Sequence, residues 1–117
     1  LIDFGEVEIG KFDKKSSDVK ALADYPIAKT SEAAEKQRLN LETGFVYQNI
    51  NISAKRKLIP NHIYLLRLVA YKLGSDRTTF ANQDSVYLFK VGELNKDNVA
   101  VILWKKLSEK EAPRIKD

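Results

Sequence analysis

The sequence predicts an α+β fold in which a four- to five-stranded antiparallel sheet wraps around one helical segment. An amphipathic stripe runs through residues 19–41, and its apolar residues recur every three or four positions, as in a helix with one buried face. Four strand-like apolar runs follow in residues 45–107, and turn residues separate them. A helix followed by such a meander can bury its stripe against one face of the sheet.

The length and composition of the chain are those of one small domain. The chain has 117 residues, enough for a core of its own, so we predict a single domain over residues 1–117. Cysteine is absent, which excludes disulfides and thiolate metal sites and is compatible with secreted and cytosolic settings alike. No apolar run reaches the roughly 18 residues that a membrane span needs. The chain begins at Leu1 and contains no methionine, which indicates a processed or trimmed piece.

Residues 1–12 are predicted to form an N-terminal arm or edge strand. Val7 and Ile9 alternate with Glu6 and Glu8, and a period of two is typical of a strand. Charges on a short terminal strand protect the edge of a sheet from pairing with other chains. We therefore place this segment beside the sheet and outside its centre.

Residues 16–42 are predicted to form the helical segment. Serines at its start offer N-cap chemistry, and Thr43-Gly44 ends it. Leu22 lies in the apolar stripe and should therefore be buried against the sheet.

Pro26 interrupts this segment, because proline lacks a backbone donor and crowds the preceding turn. Two alternatives follow. One helix kinks at Pro26, or a first helix stops before Tyr25 and a second begins with Thr30 or Ser31 as its cap.

Residues 45–107 are predicted to form a four-stranded meander built from two hairpins. In the first run the even positions are mostly apolar and the odd positions polar, whereas the later runs are nearly continuously apolar, as central strands are. The four runs are Phe45–Ala54, Ile63–Tyr71, Val86–Val91 and Val99–Leu107. Leu73–Ser85 is a polar connection between the hairpins, and residues 108–117 are predicted to be a charged, frayed tail.

This order of elements resembles the cystatin family, in which an N-terminal arm leads into one helix and a four-stranded antiparallel sheet curls around it. Residues 18–28 resemble the start of the family's helix, residues 45–73 its second and third strands with the inhibitory loop between them, and residues 87–107 its closing hairpin. The likeness covers most of the chain as an order of elements. It implies a binding module that blocks papain-like cysteine proteases as a non-covalent wedge, without a catalytic residue or a cofactor.

The resemblance also implies three contact segments for the protease. The family uses a glycine in the arm, a Gln-x-Val-x-Gly first loop and a Pro-Trp second loop. Gly5 matches the arm glycine, with Gly10 as the alternative. The implied protease-binding residues are Gly5, Lys57, Leu58, Ile59, Pro60, Asn61, Glu93 and Leu94.

Both loops depart from the family pattern. Lys57 replaces the glutamine, and Asn61 replaces the glycine while tolerating the positive φ that a glycine there allows. In the second loop only Leu94 is apolar, and Trp104 lies in the last strand, so it cannot stand in for the family's tryptophan. We therefore expect weak or diverged inhibition, and a second interpretation is a cystatin-fold partner-binding or structural domain without inhibitory activity.

A third interpretation, from a different class, is a basic β-sheet nucleic-acid-binding domain. The net charge is +4, and residues 55–117 carry 13 basic and 7 acidic side chains. Aromatic residues interleaved with basic ones on a sheet can stack bases. Core and cross-strand packing explains the same aromatics more simply, and the three basic residues of Lys55-Arg56-Lys57 are typical of a solvated tip. We therefore expect a protein partner, not nucleic acid.

His62 is the only histidine, so a Ser-His-Asp triad or a zinc site would have to use it. No carboxylate lies near it in the sequence, and its place at the start of a strand predicts a strand-end histidine without a catalytic role. We expect no metal and no enzymatic activity. Nothing in the sequence indicates the oligomeric state.

Overall fold

The computed structural model describes residues 1–73, 84–97 and 99–115. Within them the chain forms a four-stranded antiparallel sheet and two α-helices, which confirms the α+β class. The elements in chain order are β1 (Ile2–Asp3), a 3-10 helix (Ile9–Lys11), α1 (Ser17–Ala23), α2 (Ser31–Thr43), β2 (Phe45–Tyr47), β3 (Ile50–Ile52), β4 (Ile63–Val69), β5 (Lys72–Leu73), β6 (Asp84–Val91), β7 (Ile102–Lys110) and β8 (Arg114–Ile115). No described helix is long and apolar enough to cross a membrane.

The sheet has the strand order β1-β4-β6-β7, and all neighbouring strands are antiparallel. The central pair, β4 and β6, runs in register from Ile63 opposite Lys90 to Val69 opposite Asp84. The two-residue β1 forms one edge of the sheet, and β7 forms the other. Val7 and Ile9, whose alternation predicted a strand, are not part of the sheet, because β1 ends at Asp3 and Ile9 begins the 3-10 helix. Strands β4, β6 and β7 therefore make a meander, since each neighbours the next along the chain.

The core lies between α1 and one face of the sheet. Its buried members are Ile2, Val19, Leu22, Ile52, Ile63, Leu65, Val86 and Leu88. The side chain of Leu22 is 4% exposed, which confirms its predicted burial. Burying one such side chain contributes about 1.5–3 kcal/mol relative to leaving it in water, so this cluster accounts for much of the cohesion between α1 and the sheet.

Pro26 separates two helices and does not kink a single one. α1 ends at Ala23, and α2 begins after Thr30, whose Oγ1 accepts a hydrogen bond from the Ala33 amide at 3.1 Å. α2 ends at Gly44, where φ is 84°, a conformation that glycine adopts without a steric cost. The second of the two alternatives, with Thr30 as the cap, is therefore confirmed.

α2 does not share the buried stripe of α1. None of its residues is buried, and its best-packed apolar side chain, Leu41, is only half-buried against the core. The prediction that one stripe over residues 19–41 packs on the sheet is therefore wrong for α2. The physical reason is the break at Pro26, because a helical period describes one face only while the helix continues.

Residues 45–54 form a small separate hairpin and not one strand of the sheet. β2 and β3 pair with each other in an antiparallel arrangement. Between them Gln48 and Asn49 have φ values of 48° and 64°, and two consecutive left-handed residues are what a tight two-residue hairpin turn requires. The predictions of a single strand over Phe45–Ala54 and of a four-stranded meander over residues 45–107 are therefore wrong. β1 occupies the place beside β4 instead.

The C-terminal segment is packed against the rest of the domain. β8 pairs in parallel with β5, and Ala112 and Ile115 are buried. The prediction of a frayed tail is therefore wrong for residues 108–115, because the apolar side chains of Ala112 and Ile115 are buried against the rest of the domain. Most of the predicted connection Leu73–Ser85 lies outside the described residues, and its last two residues belong to β6.

A buried ion pair joins α1 to the sheet. Arg67 in β4 donates from Nε and Nη2 to the two carboxylate oxygens of Asp84 in β6, at 2.8 and 2.9 Å. Its Nη1 donates to the carbonyl oxygens of Leu22 at 3.0 Å and Tyr25 at 2.7 Å. Arg67 therefore binds one carbonyl in the last turn of α1 and one just beyond the helix, and so ties the end of α1 to the sheet.

Candidate functional site

The three segments predicted to bind a partner meet at one end of the sheet. The carbonyl of Gly5, just after β1, accepts a hydrogen bond from the amide of Ile63 at 2.9 Å, and the amide of Asn61 donates to the carbonyl of Val91 at 2.7 Å. Neighbouring strands run in opposite directions, so the end of β1, the start of β4 and the end of β6 lie side by side. We call Gly5, residues 57–61, residues 93–94 and residues 99–104 the sheet-end surface.

Gly5 is the arm glycine at this end. Its φ is 75°, which favours glycine, and its amide donates to Asp3 Oδ1 at 2.8 Å. A Cβ added there would meet nothing within 4 Å, so the backbone angle, not a lack of space, is the reason for a glycine. The alternative, Gly10, lies in the 3-10 helix, which packs near β6.

The first tip is a hydrogen-bonded turn that precedes β4. The His62 amide donates to the carbonyl of Ile59 at 3.2 Å, with Pro60 next and then Asn61 at a φ of 66°. Proline at the second position and a residue of positive φ at the third are the pattern of a type II turn, and the positive φ of Asn61 agrees with the prediction. The Ile59 amide also donates to the hydroxyl of the buried Tyr64 at 2.8 Å, which ties the tip to the sheet.

His62 holds β1 to β4 through a carboxylate that sequence reasoning missed. Its Nδ1 lies 3.0 and 3.1 Å from the two carboxylate oxygens of Asp3. Burial raises the pKa of the Asp3 carboxyl, but hydrogen bonds from the Gly5 amide and from His62 lower it further, so the pKa lies below its ordinary value. The two residues are 59 positions apart, and no local pattern connects them. No group of three His, Cys, Asp or Glu side chains that could hold a metal ion exists among the described residues.

The second tip, between β6 and β7, is also held by its own hydrogen bonds. The Asn95 amide donates to the carbonyl of Val99 at 3.0 Å, and Asn95 Oδ1 accepts from the Val99 amide at 3.0 Å. A Cβ on Gly92 would lie 3.0 Å from the carbonyl oxygen of Val101, so a glycine allows the close approach at the base of this tip. Leu94 projects from it and is exposed.

Exposed apolar side chains are concentrated on the sheet-end surface. Of the twelve large apolar side chains that are exposed in the described part of the chain, eight lie here: Leu58, Ile59, Leu94, Val99, Val101, Ile102, Leu103 and Trp104. Val101 and Trp104 are 76% and 62% exposed. Such a concentration of exposed apolar side chains on a small domain is typical of a binding surface.

The exposure of residues 99–104 differs from the sequence-based prediction. The nearly continuous apolar run predicted a strand within the sheet, but β7 begins only at Ile102 and forms an edge. The apolar run in residues 99–104 was the sequence signal for this surface. No local pattern, however, shows that β7 lacks a neighbouring element that would cover it.

Within the sheet-end surface lie two exposed charges of opposite sign, Lys57 on the first tip and Glu93 on the second. Each charge stands next to exposed apolar side chains, Leu58 and Leu94 respectively. A partner that covers the sheet-end surface would therefore have to desolvate or pair both charges.

In comparisons with known proteins, no family model, curated protein or solved structure matches the chain.

Proposed function

We propose that this chain is a cystatin-like protein-binding module that docks through its sheet-end surface into a concave site on another protein. The proposed target is the cleft of a papain-like cysteine protease, which the module obstructs as a non-covalent wedge. The observation that carries the proposal is the side-by-side placement of Gly5 and the two tips, together with the concentration of exposed apolar side chains around them.

Such a wedge works without catalytic chemistry, because it acts by shape and by excluding substrate from the cleft. Its affinity is higher when binding restricts fewer backbone and side-chain conformations. Both tips are already closed by backbone hydrogen bonds, at Ile59–His62 and at Asn95–Val99. The first tip is further tied to the buried Tyr64. The backbone therefore enters the partner's site in a conformation that it already holds.

Burial of the exposed apolar side chains would drive binding to the partner, and the charges of Lys57 and Glu93 would limit the affinity. Trp104 is a residue of the type that dominates binding energies when a partner covers it, and the exposed Leu94 adds apolar area. Lys57 and Glu93, in contrast, lose water on entering a cleft, which is costly unless the partner pairs them. We therefore expect inhibition that is micromolar at best on the usual scale of affinities.

Titration against papain tests the proposal. The unmodified protein should inhibit weakly. Lys57→Gln, Asn61→Gly, Glu93→Pro and Leu94→Trp together should tighten inhibition at least about tenfold, or about 1.4 kcal/mol. Asn61→Gly retains the backbone of the tip, because the φ of 66° suits glycine.

A matched pair of variants assigns the effect to the surface. Leu94→Asp should abolish inhibition by placing a charge on the second tip, whereas Val46→Asp should leave it unchanged. Val46 is equally apolar and exposed but lies on the β2–β3 hairpin, outside the sheet-end surface. Nanomolar inhibition by the unmodified chain would contradict the expected cost of Lys57 and Glu93. No inhibition by either version would exclude the protease target and favour a partner-binding domain without inhibitory activity.

A further inference from the structure

A cavity of about 610 Å³ lies between α2, the 24–30 connection and the second half of β4. Its lining is mainly apolar and includes Leu22, Ile27, Leu41, Ile52, Leu68 and Ile115. We call this space the helix cavity. It accounts for the unusual packing of α2: the helix has no buried residue because its inner side borders the cavity and not the sheet. The cavity lies apart from the sheet-end surface, and it shares no lining residue with it.

Hydrogen bonds hold the walls of the helix cavity apart. The hydroxyl of Tyr71 accepts from the Ala28 amide at 2.9 Å and donates to Gln37 Oε1 at 3.1 Å. Gln37 Nε2 in turn donates to the carbonyl of Pro26 at 2.8 Å. At the far end of α2, the carbonyl of Leu41 accepts from an amide beyond β3 at 2.8 Å. The middle and the C-terminal end of α2 are therefore tied down, so the space is a preformed pocket.

The two guanidinium groups on the wall already have partners within the chain. Arg67 is paired with Asp84 and with the carbonyls at the end of α1. Arg38 lies between Glu35 and Glu42, and both carboxylates accept its hydrogen bonds. A charged ligand would have to displace one of these partners, whereas a neutral ligand leaves them in place. The chemistry of the wall therefore favours a ligand without charge.

We propose that the helix cavity binds a neutral, largely apolar small molecule. The volume is within the range of roughly 300–1,000 Å³ that is typical of small-molecule sites. The apolar side chains Ile27 and Leu68 on its wall are exposed to water, so a bound apolar molecule would cover them and gain the hydrophobic contribution of that area. This ligand site is independent of the protein-binding function proposed above.

Fluorescence titration with phenylnaphthylamine, a neutral dye whose emission rises in apolar surroundings, tests the proposal. We expect saturable binding of one dye per chain. Anilinonaphthalene sulfonate, which has the same rings and a negative charge, should bind at least about tenfold more weakly because the guanidinium groups of Arg38 and Arg67 on the wall are already paired with carboxylates. Absence of saturable binding of the neutral dye to the folded protein, or equal binding of both dyes, would overturn the proposal.

Two variants on α2 locate the bound dye. Ala34 lines the cavity, and Ala34→Phe should fill part of it and weaken binding of the neutral dye by about tenfold or more. Asn40→Phe introduces the same ring at an exposed position of the same helix outside the lining, and binding should not change. Equal affinities of the two variants would contradict the assignment to the cavity.

A second readout needs no variant and separates the cavity from the exposed apolar surface at the sheet end. On addition of the neutral dye, backbone amide chemical shifts in NMR spectra should change at Ala34, Leu41 and Leu68. Those at Leu94 and Trp104 should not. Changes confined to Leu94 and Trp104 would show that the dye binds the sheet-end surface, and the proposed ligand site would be wrong.

Discussion

At the scale of the residue, Leu22 is one of the two buried residues through which α1 packs on the sheet, and it is 4% exposed within the core. Leu22→Ala should lower the free energy of unfolding by about 2–5 kcal/mol, since the lost contacts leave a cavity that the surroundings fill only partly. Urea denaturation followed by circular dichroism measures the loss.

Leu39 supplies the matched control for that measurement. It is the same residue type on the neighbouring helix but is 49% exposed. Leu39→Ala should change stability by about 0.5 kcal/mol or less, as substitutions on the surface generally do. Losses of similar size for the two variants would show that α1 is not packed as described.

At the scale of the element, the end of α1 and the sheet are joined by the ion pair of Arg67 and Asp84, whose side chains are only 8% and 9% exposed. Arg67→Leu leaves the Asp84 carboxylate buried without its partner and removes the donor to the last carbonyls of α1. It should cost about 3–5 kcal/mol. The double variant Arg67→Leu with Asp84→Leu should be less destabilised than Arg67→Leu alone, because no buried charge then lacks a partner.

Chemical denaturation of the single and double variants measures this difference. Arg38→Leu is the control, since Arg38 on α2 pairs with Glu35 and Glu42 at the surface. Exposed ion pairs contribute little, so its loss should be small. A double variant that is less stable than Arg67→Leu would indicate that Asp84 has a stabilising role apart from the pair.

At the scale of the whole molecule, some of the basic and aromatic groups in the described part of residues 55–117 already have partners within the sheet. Lys106 pairs with Glu109 at 3.3 Å, and the rings of Tyr64 and Phe89 stack on each other with centroids 5.2 Å apart. These groups are therefore occupied within the sheet. Binding of a fluorescent single-stranded oligonucleotide should be weak and should vanish near an ionic strength of about 0.15 M.

Fluorescence anisotropy across a series of salt concentrations measures this binding. Sub-micromolar affinity that persists at physiological salt would favour the nucleic-acid interpretation over the protein partner. Trp104→Ala would then identify whether the one strongly exposed ring on β7 stacks on a base.

The features that could be predicted from the sequence are those that depend on a residue and its near neighbours. Leu22 marks the buried face of α1, Pro26 ends that helix, and Thr30 caps the next. Asn61 adopts its positive φ because asparagine tolerates it and Pro60 prepares the turn. The α+β class follows from periods of three to four and of two in successive segments, since each period is a local property of the backbone.

The tertiary structure alone decided which segments became neighbours. β1 and not the 45–54 run lies beside β4, the carboxylate of Asp3 reaches His62 across 59 positions, and the apolar start of β7 is left on an edge. The resemblance implied that Gly5 and the two tips lie together, but their exposed apolar surface and the helix cavity could not be predicted. Which strands pair and which apolar surfaces become buried depends on free-energy differences between alternative contacts of segments that are distant in the sequence. No local sequence pattern contains that information.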